Sequence, residues 1–517
     1  MTDREMMLER LRSANPLPDR DHVDAEELGL FVSYFEERKV AMHSTPTRKP
    51  TKPAKPSKRS WYRRPSMVFA AAVVVTILAV TPLLLLRSTG TGEVADEPIP
   101  SATTAPADAT TIPAVPATTV PPPPPPSTTV PPSPEAWRRV GTEATDSTYV
   151  LLDMAQAGSR FIAVGVGIGD ETGVPGVILA SDDAITWSRL AEDDPALTEG
   201  HAWMYGVTAG GPGLVAVGQS GESCMADDPG CDSGSYATVW LSTDGTSWIR
   251  SQVDSDYSGA MEDVAVTSHG IVATGWIATP IEDSPDAEAF WVHPAMWLSE
   301  SGDDWERVFE GDPVAFDPVA AGQYGPDVNR VLALAVGPDG SIVSVGSTEN
   351  SDGQEVAAVW TSVDARNWEI SDVGDPTFGS EAGLDVSMID VAYGPTGFIA
   401  VGNEAAAEIG IWQSPDGRSW SRVETDRQTI DPTGVLSAIA AHNTGWAAAG
   451  FGPGWDGGPV TLWTSPDGTS WERGQALDTG WVQQMLVTAD RIVITGAMIE
   501  PDNTHGAIWT TPTEATP

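Results

Sequence analysis

Residues able to do chemistry are thinly spread in this chain. It holds seven histidines. Five of them, His201, His269, His293, His442 and His505, fall in the second half or near it, without the spacing that gathers several ligands on one metal ion. No Gly-x-Ser-x-Gly string is present, and no glycine-rich loop opens a helix, so neither a serine elbow nor a phosphate cradle is indicated. The two cysteines, Cys224 and Cys231, bracket "MADDPG". Outside a membrane such a pair oxidises, and Pro229-Gly230 lets the loop close, so a local disulfide is predicted rather than redox chemistry of the C-x-x-C kind. What remains is binding chemistry. Trp276, Trp291, His293, Tyr324 and Trp455 lie in or beside long connections, where aromatic rings stack on sugar faces or apolar side chains. No metal and no cofactor is expected.

The elements that position these residues come from a repeat. "VILASDDAITWSRL" (from Val177), "VWLSTDGTSWIRS" (Val239), "MWLSESGDDWERV" (Met296), "VWTSVDARNWEIS" (Val359), "IWQSPDGRSWSRV" (Ile411) and "LWTSPDGTSWERG" (Leu462) are copies of one string, and "IWTTP" at Ile508 begins another. Each follows an apolar string ending in glycine, such as "FIAVG" at Phe161 or "IVATG" at Ile271. A further apolar run precedes that, as in "MEDVAVTSHG" and "MIDVAYGPTG". Each unit therefore reads as four short strands joined by turns, and the fold class is all-β, a seven-bladed propeller. The last unit lacks its outer strand. "AWRRV", Ala136 to Val140, matches the missing "SWxRV" string and is predicted to supply it from the other end of the chain. The outer-strand tryptophans are then Trp137, Trp187, Trp248, Trp305, Trp368, Trp420 and Trp471. First-to-second and third-to-fourth connections are tight turns, whereas the others are long. One face should thus carry every long insertion.

The turn S-x-D-G-x-S-W, at Ser414–Trp420 and Ser465–Trp471, resembles a shortened Asp-box of the bacterial neuraminidase repeat, whose box has one more residue between Ser and Trp. The resemblance implies that Asp416 and Asp467 serve structure at a hairpin, and that the tryptophans pack between blades. A tight Asp-Gly turn with an indole after it has the same physical reading. Sialidases of this architecture imply an arginine triad, an Arg-Ile-Pro string and a Tyr/Glu pair. No such string occurs. Arg138, Arg139, Arg189, Arg250, Arg307, Arg422 and Arg473 belong to the outer-strand pattern and should face solvent at the rim. Arg160, Arg330, Arg366, Arg418, Arg427 and Arg491 follow no gathering motif. The expected function is a non-catalytic binding or sensing module for an envelope protein or glycan. A sialidase-type glycoside hydrolase is the alternative.

Charge and hydropathy set the surroundings. Of the formal net charge of −44, residues 1–64 contribute +4 and the rest −48, and no lysine follows Lys58. A body so acidic repels polyanions, which excludes nucleic acid as a partner. Met67 to Leu86 is an uncharged stretch of twenty residues, long enough as a helix to span ~30 Å of hydrocarbon. Eight basic residues precede it, which predicts a cytoplasmic N-terminus, with Trp61 and Tyr62 at the interface. The division is then 1–64 cytoplasmic and basic near the membrane, 67–86 a transmembrane helix, 87–134 a Pro/Thr-rich stalk and 135–517 the extracytoplasmic propeller. The stalk favours extended polyproline II of up to ~110 Å. "LRSANPLPD", from Leu11, resembles the opening of actinobacterial single-pass membrane proteins of unassigned function.

Overall fold

The computed structural model describes residues 138–140, 149–167, 173–221, 235–281, 290–316, 329–380, 384–404, 408–424, 434–442, 445–452, 458–488, 491–500 and 503–510. The segments predicted as cytoplasmic piece, membrane helix and stalk lie outside them, as do Trp137, Cys224, Cys231, Tyr324 and Trp455. Among the described residues no helix is long and apolar enough to cross a membrane.

Strand β1 (Arg138–Val140) comes first. A four-stranded antiparallel sheet follows, made of β2 (Tyr149–Ala157), β3 (Arg160–Gly167), β4 (Gly176–Ser181) and β5 (Ser188–Leu190). The next is β6 (His201–Gly210), β7 (Gly213–Gly221), β8 (Tyr236–Ser242) and β9 (Ile249–Gln252). Then come β10 (Ser258–Thr267), β11 (Gly270–Pro280), β12 (Phe290–Ser299) and β13 (Glu306–Glu310), with β14 (Val314–Phe316) also pairing β12. The fourth sheet is β15 (Arg330–Val336), β16 (Ile342–Glu349), β17 (Glu355–Ser362) and β18 (Glu369–Ile370). The fifth is β19 (Val386–Gly394), β20 (Gly397–Glu404), β21 (Glu408–Ser414) and β22 (Ser421–Arg422).

The last sheet departs from this pattern. β23 (Val435–His442), β24 (Gly445–Phe451), β25 (Gly458–Ser465), β26 (Glu472–Val487), β27 (Ile492–Glu500) and β28 (Asn503–Thr510) pair in sequence, and β1 pairs the far edge of β28. β26 serves two units at once. Its first half pairs β25 through Trp463 and Arg473, and its second half pairs β27 from Gly480 to Val487. The long connection expected between an outer strand and the next inner one is thus replaced here by a strand that runs straight through.

The repeated strings fall on these strands for identifiable reasons. Second and third strands are covered on both faces by neighbouring sheets, so they read as apolar runs: β3 is buried from Phe161 to Gly167, and β4 throughout. The glycine closing each "IAVG"-type string lies beside a bulge in the first strand. A Cβ on Gly165, Gly218, Gly275, Gly346, Gly402, Gly450 or Gly496 would run into the carbonyl oxygen of Val150, Trp203, Ala260, Arg330, Ser387, Val435 or Trp481 respectively. Only glycine lets the two backbones meet.

The core is distributed between sheets rather than gathered inside one. Ile162 and Ile178 of the first sheet pack with Met204 and Trp240 of the second, and Val140, Leu151, Val493 and Ile508 form one cluster across the join between chain start and chain end. First strands pack in the order β2, β6, β10, β15, β19, β23, β26 and back to β2. Sheets packed face to face around an axis in this way make an all-β, propeller fold.

Candidate functional site

The axis is lined by the first strands, and each carries a β-bulge at the same place. The register slips past Leu152, Tyr205, Glu262, Leu332, Ile389, Ser437 and Gln483. A bulge re-aims side chains. Leu152, Tyr205 and Ile389, from three different sheets, join one apolar cluster with Trp203 and Trp481, so side chains fill the axis at this level. The rings of Trp203 and Tyr205 meet edge to face with centroids 6.3 Å apart.

Beside this cluster lies a charged pair. Glu262 on β10 accepts a hydrogen bond from the Trp276 indole at 3.0 Å, and the same oxygen pairs with the Arg330 guanidinium. Both side chains of the pair are largely buried, at 9% and 12% exposure. Removing one partner would strand the other charge, so this contact locks β10, β11 and β15 together. Burial, and next the Glu262 carboxylate, push the Tyr205 phenol well up.

Trp291 and His293 belong to a different surface. In the β11–β12 register Thr279 faces Trp291 and Ile277 faces His293, whereas Trp276 faces Pro294. Residues two apart share a face, so Trp276 lies on the opposite side of the sheet from Trp291 and His293. The structure therefore separates three of the residues that sequence grouped together. His293 is buried, and its Nε2 sits 2.9 Å from the Thr279 hydroxyl. Its Nδ1 is 3.2 Å from Glu310, which also contacts Arg307 at 3.4 Å. Arg307 reaches Asp254 at 2.9 Å and covers the ring of Tyr257. Trp291 itself is 37% exposed, two residues from His293 on the same face of β12. This face thus carries an open indole at Trp291 and, further along the same strand pair, the half-exposed Glu310 carboxylate at His293.

Outer-strand arginines do not simply face solvent. Trp240, Trp297, Trp412, Trp463 and Trp509 on third strands stand opposite Arg250, Arg307, Arg422, Arg473 and Arg139. Arg422 lies over the Trp412 ring and pairs with Glu404, while Arg250 donates to the Glu199 carbonyl at 2.7 Å. Arg422 thus covers its indole, because a flat guanidinium can both stack and hydrogen-bond there, whereas Arg139 and Arg473 face solvent as expected.

The S-x-D-G-x-S-W turns are built alike. Asp416 accepts from the backbone N–H groups of Arg418 and Ser419 at 2.9 and 2.8 Å, and the Trp420 indole donates back to the Gly417 carbonyl at 2.8 Å. Asp467 does the same with Thr469 and Ser470, and Trp471 with Gly468. Those amide donors hold the Asp416 carboxyl down at about 2. Trp187, Trp248 and Trp471 are buried, and Trp305, Trp368 and Trp420 partly so.

Sequence reading missed a set of carboxylates at the axis. The residue just after the bulge is Asp153, Gly206, Asp263, Ala333, Asp390, Ala438 and Gln484 in turn around the ring. Each aspartate accepts from its own following N–H and from an N–H of the next first strand: Asp153 from Val207 at 2.6 Å, Asp263 from Leu334 at 2.8 Å, Asp390 from Ile439 at 2.8 Å. Alternation follows from space, since the sheet receiving the clamp has a small residue there. The signal was present in "LLDMA", "MEDVA" and "MIDVA", had the first strands been aligned on one another.

No family model matches the chain, and no curated protein matches it. Among solved structures, the sialidase of Trypanosoma rangeli is similar over 72% of this chain and 58% of its own, with 12% identity and a TM-score of 0.37. The fucose-specific lectin of Aleuria aurantia is similar over 65% of this chain and 97% of its own, with 13% identity and a TM-score of 0.35. An ancestral GH74 enzyme is similar over 73% and 50%, with 12% identity and a TM-score of 0.43. The chain thus spans little more than half the length of the sialidase and half that of the GH74 enzyme.

Proposed function

We propose that this chain is a non-catalytic binding module: a seven-bladed propeller, held outside the membrane on a stalk by one N-in helix, that binds a glycan of the cell envelope. The cyclic packing of first strands and the pairing of β1 with β28 support the closed ring. The uncharged run 67–86 and its basic flank support the anchor.

The observation that carries the binding reading is Trp291, 37% exposed, on the same face of the sheet as Thr279 and as His293, which in turn contacts Glu310. Sugar rings take an aromatic plane for their C–H face and a carboxylate for their hydroxyls. A protein partner would want a broader apolar surface than this one. Of the other exposed large apolar residues, Ile249 and Ile370 sit on outer strands of other sheets, Tyr393 on β19, Val363 just past β17, and Val266 near the far end of β10.

The test is a glycan array probed with residues 131–517. Binding to some glycan that Trp291→Ala abolishes, with an unchanged melting temperature, supports the reading. Release of product from sialosides or aryl glycosides, lost in Glu310→Gln, would replace it with the hydrolase.

A further inference from the structure

We propose that Asp153, Asp263 and Asp390 form a proton-binding ring, so that mild acidity tightens the closure of the propeller. The geometry places a carboxylate on β2, β10 and β19, alternate first strands of the first five, each clamping the backbone of the strand beside it. Asp153 and Asp390 are buried, at 8% and 5% exposure. Three like charges share one low-dielectric axis, and that of Asp263 pushes the carboxyls of Asp153 and Asp390 up. Each carboxylate takes one amide on each oxygen; on protonation the carbonyl oxygen keeps its amide, the hydroxyl oxygen accepts more weakly, and the charge that burial and repulsion penalise is lost.

The surroundings favour the neutral form. Burial pushes Asp390 up to about 7, and the charge of Asp263 adds to this against the lowering effect of the Ile439 amide. Burial raises Asp263 to about 6, with the neighbouring Glu262 carboxylate a smaller contributor. Asp153 is raised well above its ordinary range by burial and then by Asp263. The other ionisable groups on the lining strands are few. Glu262 pairs with Arg330, Tyr205 is itself pushed up, and Gln484 bonds Asp390. His201 and His442, at the strand ends, are pushed down by burial and act in the opposite direction. Glu472, Arg473 and Asp478 lie in the outer half of β26.

A carboxyl whose folded value lies above its unfolded one binds more protons folded than unfolded. Stability is therefore greatest near the unfolded value of about 4 and is lost as pH rises toward about 7. That is the reverse of ordinary acid denaturation.

The experiment is infrared spectroscopy of the full chain in detergent near pH 6, reading the carbonyl stretch of protonated carboxylic acid, which histidine does not share. We expect that band in the folded protein, its loss on unfolding or at higher pH, and its reduction in Asp390→Asn. The melting temperature should rise from about pH 8 to about pH 5 in the native chain, and less steeply in Asp390→Asn. A folded protein without the band near pH 6 overturns the proposal even if no variant folds. So does a band that Asp153→Asn, Asp263→Asn and Asp390→Asn all leave unchanged.

Discussion

Arg139 stands opposite Trp509 in the register of β1 and β28, so three residues from the start of the folded region complete the sheet that ends it. Val140, next to it, is buried with Tyr149, Leu151, Val493 and Ile508. Deleting Ala136 to Val140 should remove that ladder, uncover the edge of β28 and expose the Trp509 indole. The expected outcome is loss of a cooperative melt, against a typical total of about 5–15 kcal/mol. A chain beginning at Pro131 should melt like the longer one. Equal melting of the two shortened chains would sink the closure.

Trp471 is 7% exposed, packs with Ile399, Leu436 and Trp446, and donates to Gly468 at 3.0 Å. Trp471→Ala should cost about 3–5 kcal/mol, as removal of a buried indole does elsewhere. Trp420 is only partly buried, so Trp420→Ala should cost less. Denaturant melts of both variants read the difference, and the reverse ranking would contradict the packing described.

The turn aspartates oppose the axial ones in their response to pH. Asp416 is held down at about 2 by the Ser419 and Arg418 amides, so its contribution is present above the unfolded value of about 4 and is lost as pH falls toward 2. Asp183 is likewise lowered, by the Thr186 amide first. With the axial carboxylates losing stability in the other direction, the melting temperature should peak near the unfolded carboxylate value of about pH 4. Asp416→Asn should flatten the acid limb and leave the alkaline limb alone. A scan of melting temperature against pH checks both limbs.

Trp276 and Trp291 occupy one hairpin but opposite faces. Trp276→Ala removes the donor to Glu262 and loosens its pair with Arg330, so it should lower the melting temperature while glycan binding survives. Trp291→Ala should do the converse. Binding lost in Trp276→Ala alone would move the site to the axis.

What was legible in the sequence is the all-β pattern and its repeat, because strands buried on both faces leave apolar runs and tight Asp-Gly turns leave a fixed spacing. The glycines of "FIAVG" and its copies were visible as letters, but their cause is a bulge in the neighbouring strand. Bulges break the two-residue period, so the same irregularity hid Asp153, Asp263 and Asp390. Trp276 and Trp291 were grouped because both lie near long connections. Which face each takes depends on the β11–β12 register, and no single strand's sequence contains that. The covering of Trp412 by Arg422 likewise depends on cross-strand pairing.

β26 carries covalent backbone from one repeat unit into the next, whereas β1 and β28 are joined by a ladder only three residues long. Tension applied through the chain ahead of Arg138 would load that short ladder before any other. Pulled from this end, the ring has a mechanical fuse: it should unzip at β1 under low force, with the through-running strand staying whole, and close again when the load is released.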